Sequence, residues 1–87
     1  MEAKKIIITG GATRIGAAIA KSLANYETSI TIHFNTSKKE AEKVKKELQD
    51  LGSEVYLIKA DLNNHKQTEN LIKKAFKKMR GIDCLIN

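Results

Sequence analysis

The chain reads as an α/β protein, a doubly wound parallel sheet of which four strands and three helices are present in the order β-α-β-α-β-α-β. Three observations predict this. Short apolar, β-branched runs alternate with segments whose apolar residues recur every three or four positions. A glycine pair, Gly10-Gly11, divides the first run from the first such segment. Helix-length segments between strands are the crossovers that parallel neighbours need, and right-handed crossovers lead to the strand order 3-2-1-4.

Each element follows from its residues. "KIIIT", residues 5–9, is a continuous apolar run stopped by glycine, as in a strand buried on both faces. Ile15, Ala18, Ile19, Ser22, Leu23 and Tyr26 then mark one stripe of a helix, whose small Ala17, Ala18 and Ala20 let it lie close to a sheet. "TSITIHF", residues 28–34, is β-branched and aromatic, a second strand. Ser37 with Glu40 three residues on predicts a capping box; Ala41, Val44, Leu48 and Leu51 share a face, and Gly52 ends the helix. "EVYLIKA", residues 54–60, is a third strand, and Asn63 or Asn64 can cap the helix after it. That third helix is expected to turn Leu71, Ile72, Ala75, Phe76 and Met79 inward and to end near Gly81, before "IDCLIN", residues 82–87, begins a fourth strand. Cys84 is expected to be a small buried residue of that strand.

Composition bounds the partners. Eighty-seven residues form at most one small domain, and folding buries only about 60–65% of the surface of such a chain. The formal charge of +6 would allow an anionic partner, but the lysines of "KKEAEKVKKEL" and "KKAFKKMR" alternate with apolar residues as on solvated helix faces. Two Phe, two Tyr and no Trp give no row of aromatics on which bases could stack, which argues against a nucleic-acid partner. No apolar run approaches the ~18 residues of a membrane span. Residues 1–5, "MEAKK", lack the apolar core of a secretory leader, and the single cysteine makes no internal disulfide, so a cytoplasmic location is expected.

The fourth strand is apolar, and a parallel edge of that kind is normally covered. The chain is therefore expected to be the N-terminal half of a larger domain, residues 1–87, and to be part of a homo-oligomer. A stand-alone nucleotide-binding module that works by self-association is the alternative.

The chemistry concentrates in "TGGATRIG", Thr9 to Gly16. A glycine turn from a buried strand into a helix start presents unpaired N–H groups, and the positive end of the helix dipole, to an anion. Phosphate is the natural guest. Gly10 makes the turn, Gly16 allows close packing, and the hydroxyls of Thr9 and Thr13 can tie the loop to neighbouring strands or to the ligand.

These residues resemble the TGxxxGxG cofactor loop of the short-chain dehydrogenase/reductase family, and the resemblance runs the whole length of the chain. It implies a partial Rossmann-type fold and a small-molecule substrate. Asp61-Leu62 is similar to the family's Asp-Leu or Asp-Val pair after the third strand, which holds the adenine ring. "CLIN" resembles its fourth strand, with Asn87 the first Asn of an Asn-Asn-Ala-Gly motif. The resemblance implies cofactor contacts from Gly10, Thr13, Arg14, Ile15 and Gly16, from Phe34, Asn35, Thr36 and Ser37, from Ala60, Asp61 and Leu62, and from Asn87. Arg14 occupies the middle glycine position, as in pteridine reductases. By that likeness it would contact the cofactor phosphates and lie beside a pterin-like substrate.

Members that prefer NAD(H) place an acidic residue after the second strand, where it accepts both ribose hydroxyls. Here "HFNTSKK" has none before Glu40, while Asn35, Thr36, Ser37 and Lys38 or Lys39 can donate to a 2′-phosphate. NADP(H) is therefore expected over NAD(H). In pteridine reductases the same stretch carries an Arg where this chain has Thr36. His33, at the strand end, is expected to be structural. The family's Tyr-x-x-x-Lys pair has no counterpart, since neither Tyr26 nor Tyr56 has a Lys four residues on, so no catalytic residue and no metal site is expected within the chain.

Overall fold

A computed structural model of the chain describes residues 3–87; Met1 and Glu2 of the N-terminal stretch "MEAKK" lie outside the described residues. The strands are β1 (Lys4–Ile8), β2 (Thr28–Phe34), β3 (Glu54–Lys59) and β4 (Cys84–Ile86). The helices between them are α1 (Arg14–Leu23), α2 (Lys38–Asp50) and α3 (His65–Met79). The strands pair in parallel in the order β3-β2-β1-β4, as the crossover rule requires.

The pleat sorts the core into two layers. Ile6, Ile8, Ile30, Ile32 and Val55 face α1 and α2, where Ala20, Val44 and Leu48 meet them. Ile7, Ile58 and Ala60 face α3, which contributes Leu71, Ala75 and Met79. Central β2 is buried at all seven positions. Among the described residues no helix is long and apolar enough to cross a membrane.

The helix stripes depart from expectation in instructive ways. On α1 the seam runs through Gly16 and Ala20, flanked by Ala17, Leu23 and Ala24, whereas Ile15 is 76% exposed and Ala18, Ser22 and Tyr26 also face outward. Two rows share the period; close approach to the loop selects the one with the smaller side chains. On α3 the same competition leaves Ile72 and Phe76 outside, Phe76 being 58% exposed. Leu51 lies past the end of α2 and is exposed. Cys84 is exposed rather than buried, because β4 is an edge strand.

The caps are resolved individually. Ser37 stands at the N-cap of α2 but makes no side-chain cap bond, so the expected capping box does not form. Asn64, not Asn63, caps α3, its side chain accepting from the Gln67 N–H. Arg80 closes α3 in the left-handed conformation, just before Gly81.

A polar column runs down β2 on the α3 face: Ser29, Thr31 and His33. The buried hydroxyls of Ser29 and Thr31 have no hydrogen-bond partner among the described residues. Removing such a hydroxyl without changing shape relieves its desolvation. Thr31→Val is expected to stabilise the fold by about 1 kcal/mol in urea unfolding.

Candidate functional site

The loop after β1 is built by backbone accounting. Gly10 takes φ +63°, a left-handed conformation that turns the chain away from the strand. Its carbonyl then accepts from both the N–H and the hydroxyl of Thr13, at 3.0 and 2.7 Å. The Thr13 hydroxyl in turn accepts from the Gly16 N–H at 3.1 Å, capping α1. Of the donors that open the helix, this consumes those of Thr13 and Gly16. The N–H groups of Arg14 and Ile15 form no hydrogen bond within the described chain. These two amides, with the positive end of α1 behind them, form an anion-accepting corner.

Gly16 makes the corner possible, since a Cβ there would lie 2.3 Å from the Gly10 carbonyl oxygen. Gly10, Thr13, Ile15 and Gly16 share a cavity of about 120 Å³ with Ile86 and Asn87. The Thr9 hydroxyl fixes the far wall, donating to the Asn87 side-chain oxygen at 3.1 Å and to the Ile86 carbonyl at 3.3 Å.

Arg14 lines a different surface. It lines a groove between α1 and α2 with Lys21, Lys43, Glu40 and Glu47, and the cavity at Asn87 does not include it. In that groove Lys21 pairs with Glu47, and its hydrogen bond holds the Glu47 carboxyl below the usual carboxylate range.

At the end of β2 the side chain of Phe34 is 8% exposed and belongs to the core, so it offers a site its backbone and little else. Asn35, Thr36 and Ser37 stand exposed beyond it, the hydroxyl of Ser37 uncommitted to its helix. After β3, Ala60 is buried, Asp61 is half-buried and Leu62 is exposed. One Asp61 carboxylate oxygen accepts from the Asn63 N–H at 3.0 Å, and the Asp61 N–H donates to the Gln67 side chain at 2.8 Å. All these segments lie at the carboxyl ends of the parallel strands, where open α/β sheets bind ligands.

His33 joins two of them. Its Nδ1 accepts from the Gly10 N–H at 3.0 Å, and its Nε2–H donates to the Ala60 carbonyl at 2.8 Å. A structural place at the strand end is the expectation from sequence, and these partners go beyond it; the polar alternation at 29, 31 and 33 is the signal that the ring faces inward. Gln67 and its hold on Asp61 had no signal at all. Among the described residues no cluster of His, Cys, Asp or Glu could hold a metal ion.

The family model for short chain dehydrogenases matches residues 4–87. The chain belongs to that family. A short chain dehydrogenase/reductase of Aspergillus aculeatus is 38% identical over 79 residues, 91% of this chain and 30% of its own. Among solved structures, a dehydrogenase from Burkholderia cenocepacia with bound NADP superposes with a TM-score of 0.87 at 30% identity, covering 98% of this chain and 34% of that one. An NADH-dependent reductase complexed with NAD superposes with a TM-score of 0.88 at 27% identity, covering 99% and 36%. The chain thus spans 30 to 35% of the length of the curated relatives it matches. Family membership brings a nicotinamide dinucleotide cofactor.

Proposed function

We propose that residues 1–87 are the cofactor-binding part of an NADPH-dependent oxidoreductase that reduces a carbonyl or pterin-like small molecule. The observation that carries this is the pair of open amides at Arg14 and Ile15, set beside Gly10 and Gly16 at a helix start. They would hold the pyrophosphate. Asp61, with its second carboxylate oxygen open, would take the adenine with Leu62 and Ala60; Asn87 would border the side on which the nicotinamide lies. The nicotinamide, when bound, supplies the hydride chemistry. Within the chain the protein's task is binding and orientation, since neither Tyr has the Lys of a proton-donating pair.

The preference for a 2′-phosphate rests on the stretch 33–39, which carries no carboxylate to repel it. Asn35, Thr36 and Ser37 are exposed there, with Lys38 and Lys39 beside them. The pterin-like substrate rests on Arg14 in the loop sequence, and the placement of Arg14 in the α1–α2 groove adds nothing to it. Apolar surface at Ile15, Phe76 and Leu85 favours burial against more protein, and assembly with further copies belongs to this reading.

Calorimetric titration of the full protein is expected to give NADP+ an affinity at least about tenfold above that for NAD+, a difference of about 1.4 kcal/mol. Equal affinities, or tighter NAD+, would refute the 2′-phosphate assignment. Binding of neither would refute the cofactor site.

A further inference from the structure

We propose that His33 is a positioning residue whose imidazole sets the geometry, and hence the affinity, of the dinucleotide site by bracing the phosphate-facing loop against the turn after β3. The inference rests on the cofactor reading above and names a residue that this reading does not use.

Two contacts of the ring carry it, beside one backbone bond that no substitution at this position removes. The Gly10 N–H donates to Nδ1, the Gly11 N–H donates to the His33 carbonyl at 3.1 Å, and Nε2–H donates to the Ala60 carbonyl. The ring is 4% exposed, so these partners replace water rather than compete with it. Both nitrogens are used, one as acceptor and one as donor, which fixes the neutral Nε2–H tautomer. No other residue of β2 reaches both segments through one side chain.

The β1–β2 pairing ends at Ile8 with Ile32, two residues before Gly10, and the β2–β3 pairing ends at Phe34 with Lys59, one residue before Ala60. Beyond the paired ranges one backbone bond ties each segment to β2, from the Gly11 N–H to the His33 carbonyl and from the Ala60 N–H to the Phe34 carbonyl at 3.0 Å, and the imidazole adds the Gly10 N–H and the Ala60 carbonyl to these. Among the described residues the imidazole is the one side chain that joins the two segments to each other there, beside those backbone bonds. Releasing the Gly10 N–H frees the residue whose own carbonyl, in the next peptide group, receives both donors of Thr13, and Thr13 in turn caps the turn that aims the Arg14 and Ile15 amides. A local rotation at Gly10 is thereby passed to the anion-accepting corner, while Ala60 passes any shift to Asp61 next to it.

Two conservative variants of the full protein separate this from general destabilisation. Asn at this position returns an acceptor near the place of Nδ1, and Gln returns a donor near the place of Nε2. Titrated with NADP+, His33→Gln is expected to bind about tenfold more weakly than wild type, about the effect of one lost hydrogen bond. His33→Asn, which keeps the arm to Gly10 and loses only the arm to Ala60, is expected to bind about threefold more weakly than wild type, even where its melting temperature is the lower of the two. Wild-type affinity in both variants overturns the proposal, and so does an equal loss in both that follows their melting temperatures. Should the Gln variant not fold, His33→Asn, which breaks the arm to Ala60, decides alone: a loss of about threefold or more in the folded variant supports the brace, and wild-type affinity overturns it. If the wild-type protein binds neither NADP+ nor NAD+, the cofactor reading itself falls, and this inference with it; a wild type that binds beside indifferent variants sinks only the role of His33.

Discussion

Replacing Gly16 by alanine is expected to destabilise the protein by about 3 kcal/mol and to remove measurable NADP+ binding. The added Cβ would stand 2.3 Å from the Gly10 carbonyl oxygen and 2.8 Å from the Gly11 Cα. Both are backbone atoms of a loop that cannot give way. The Gly10 carbonyl already receives the Thr13 N–H and hydroxyl, so displacing it breaks the cap of α1 as well. A useful contrast is Gly10→Ala, where the nearest atom lies at 3.8 Å and only the positive φ is penalised, at about 1–2 kcal/mol. Urea unfolding and NADP+ titration of both variants check the ranking. Gly16→Ala no worse than Gly10→Ala would mean that close packing at α1 does not shape the corner.

That ranking shows what kind of information the sequence carries. Element order was legible because apolar period and glycine stops are local signals, and the parallel sheet followed from crossover geometry without any contact being known. The faces of the helices were less legible. In α1 the rows through Ile15 and through Gly16 repeat with the same period, and hydrophobicity favours the first. Distance decides for the second, because only glycine and alanine fit where the helix meets the loop. Ile72 and Phe76 illustrate the same point on α3: Leu71, Ala75 and Met79 alone fill the seam over the sheet.

The candidate site divides similarly. Gly10, Thr13 and Gly16 were readable because turn geometry restricts residue type, and the structure adds that the Thr13 hydroxyl is consumed as a cap and an internal donor. The direction of Arg14 was not readable, since an exposed side chain at the first turn of a helix has no neighbour in sequence to aim it. The reach of His33 to Gly10 and Ala60 joins residues 23 and 27 positions away, a long-range juxtaposition that no spacing rule encodes.

Ile7→Ala is expected to have the other large effect, a loss of about 4 kcal/mol. Ile7 is wholly buried at the centre of β1, paired in register with Thr31 on one side and Leu85 on the other. Its side chain fills the layer under α3 with Ile58, Leu71, Ala75 and Met79, so truncation leaves a cavity that a sheet backbone cannot close. Against a total stability of about 5–15 kcal/mol, typical of a native domain, this removes a large share of what holds the native state. The loop at Gly10 leaves the same strand three residues later, so the loss should appear as a lower urea midpoint at unchanged slope, and NADP+ should partly restore it by mass action. Ile7→Val, which deletes one methylene, should lose only about 1 kcal/mol. If Ile7→Ala unfolds at the wild-type midpoint, the strand does not carry the α3 layer, and the sheet must draw its stability from the α1 and α2 side alone.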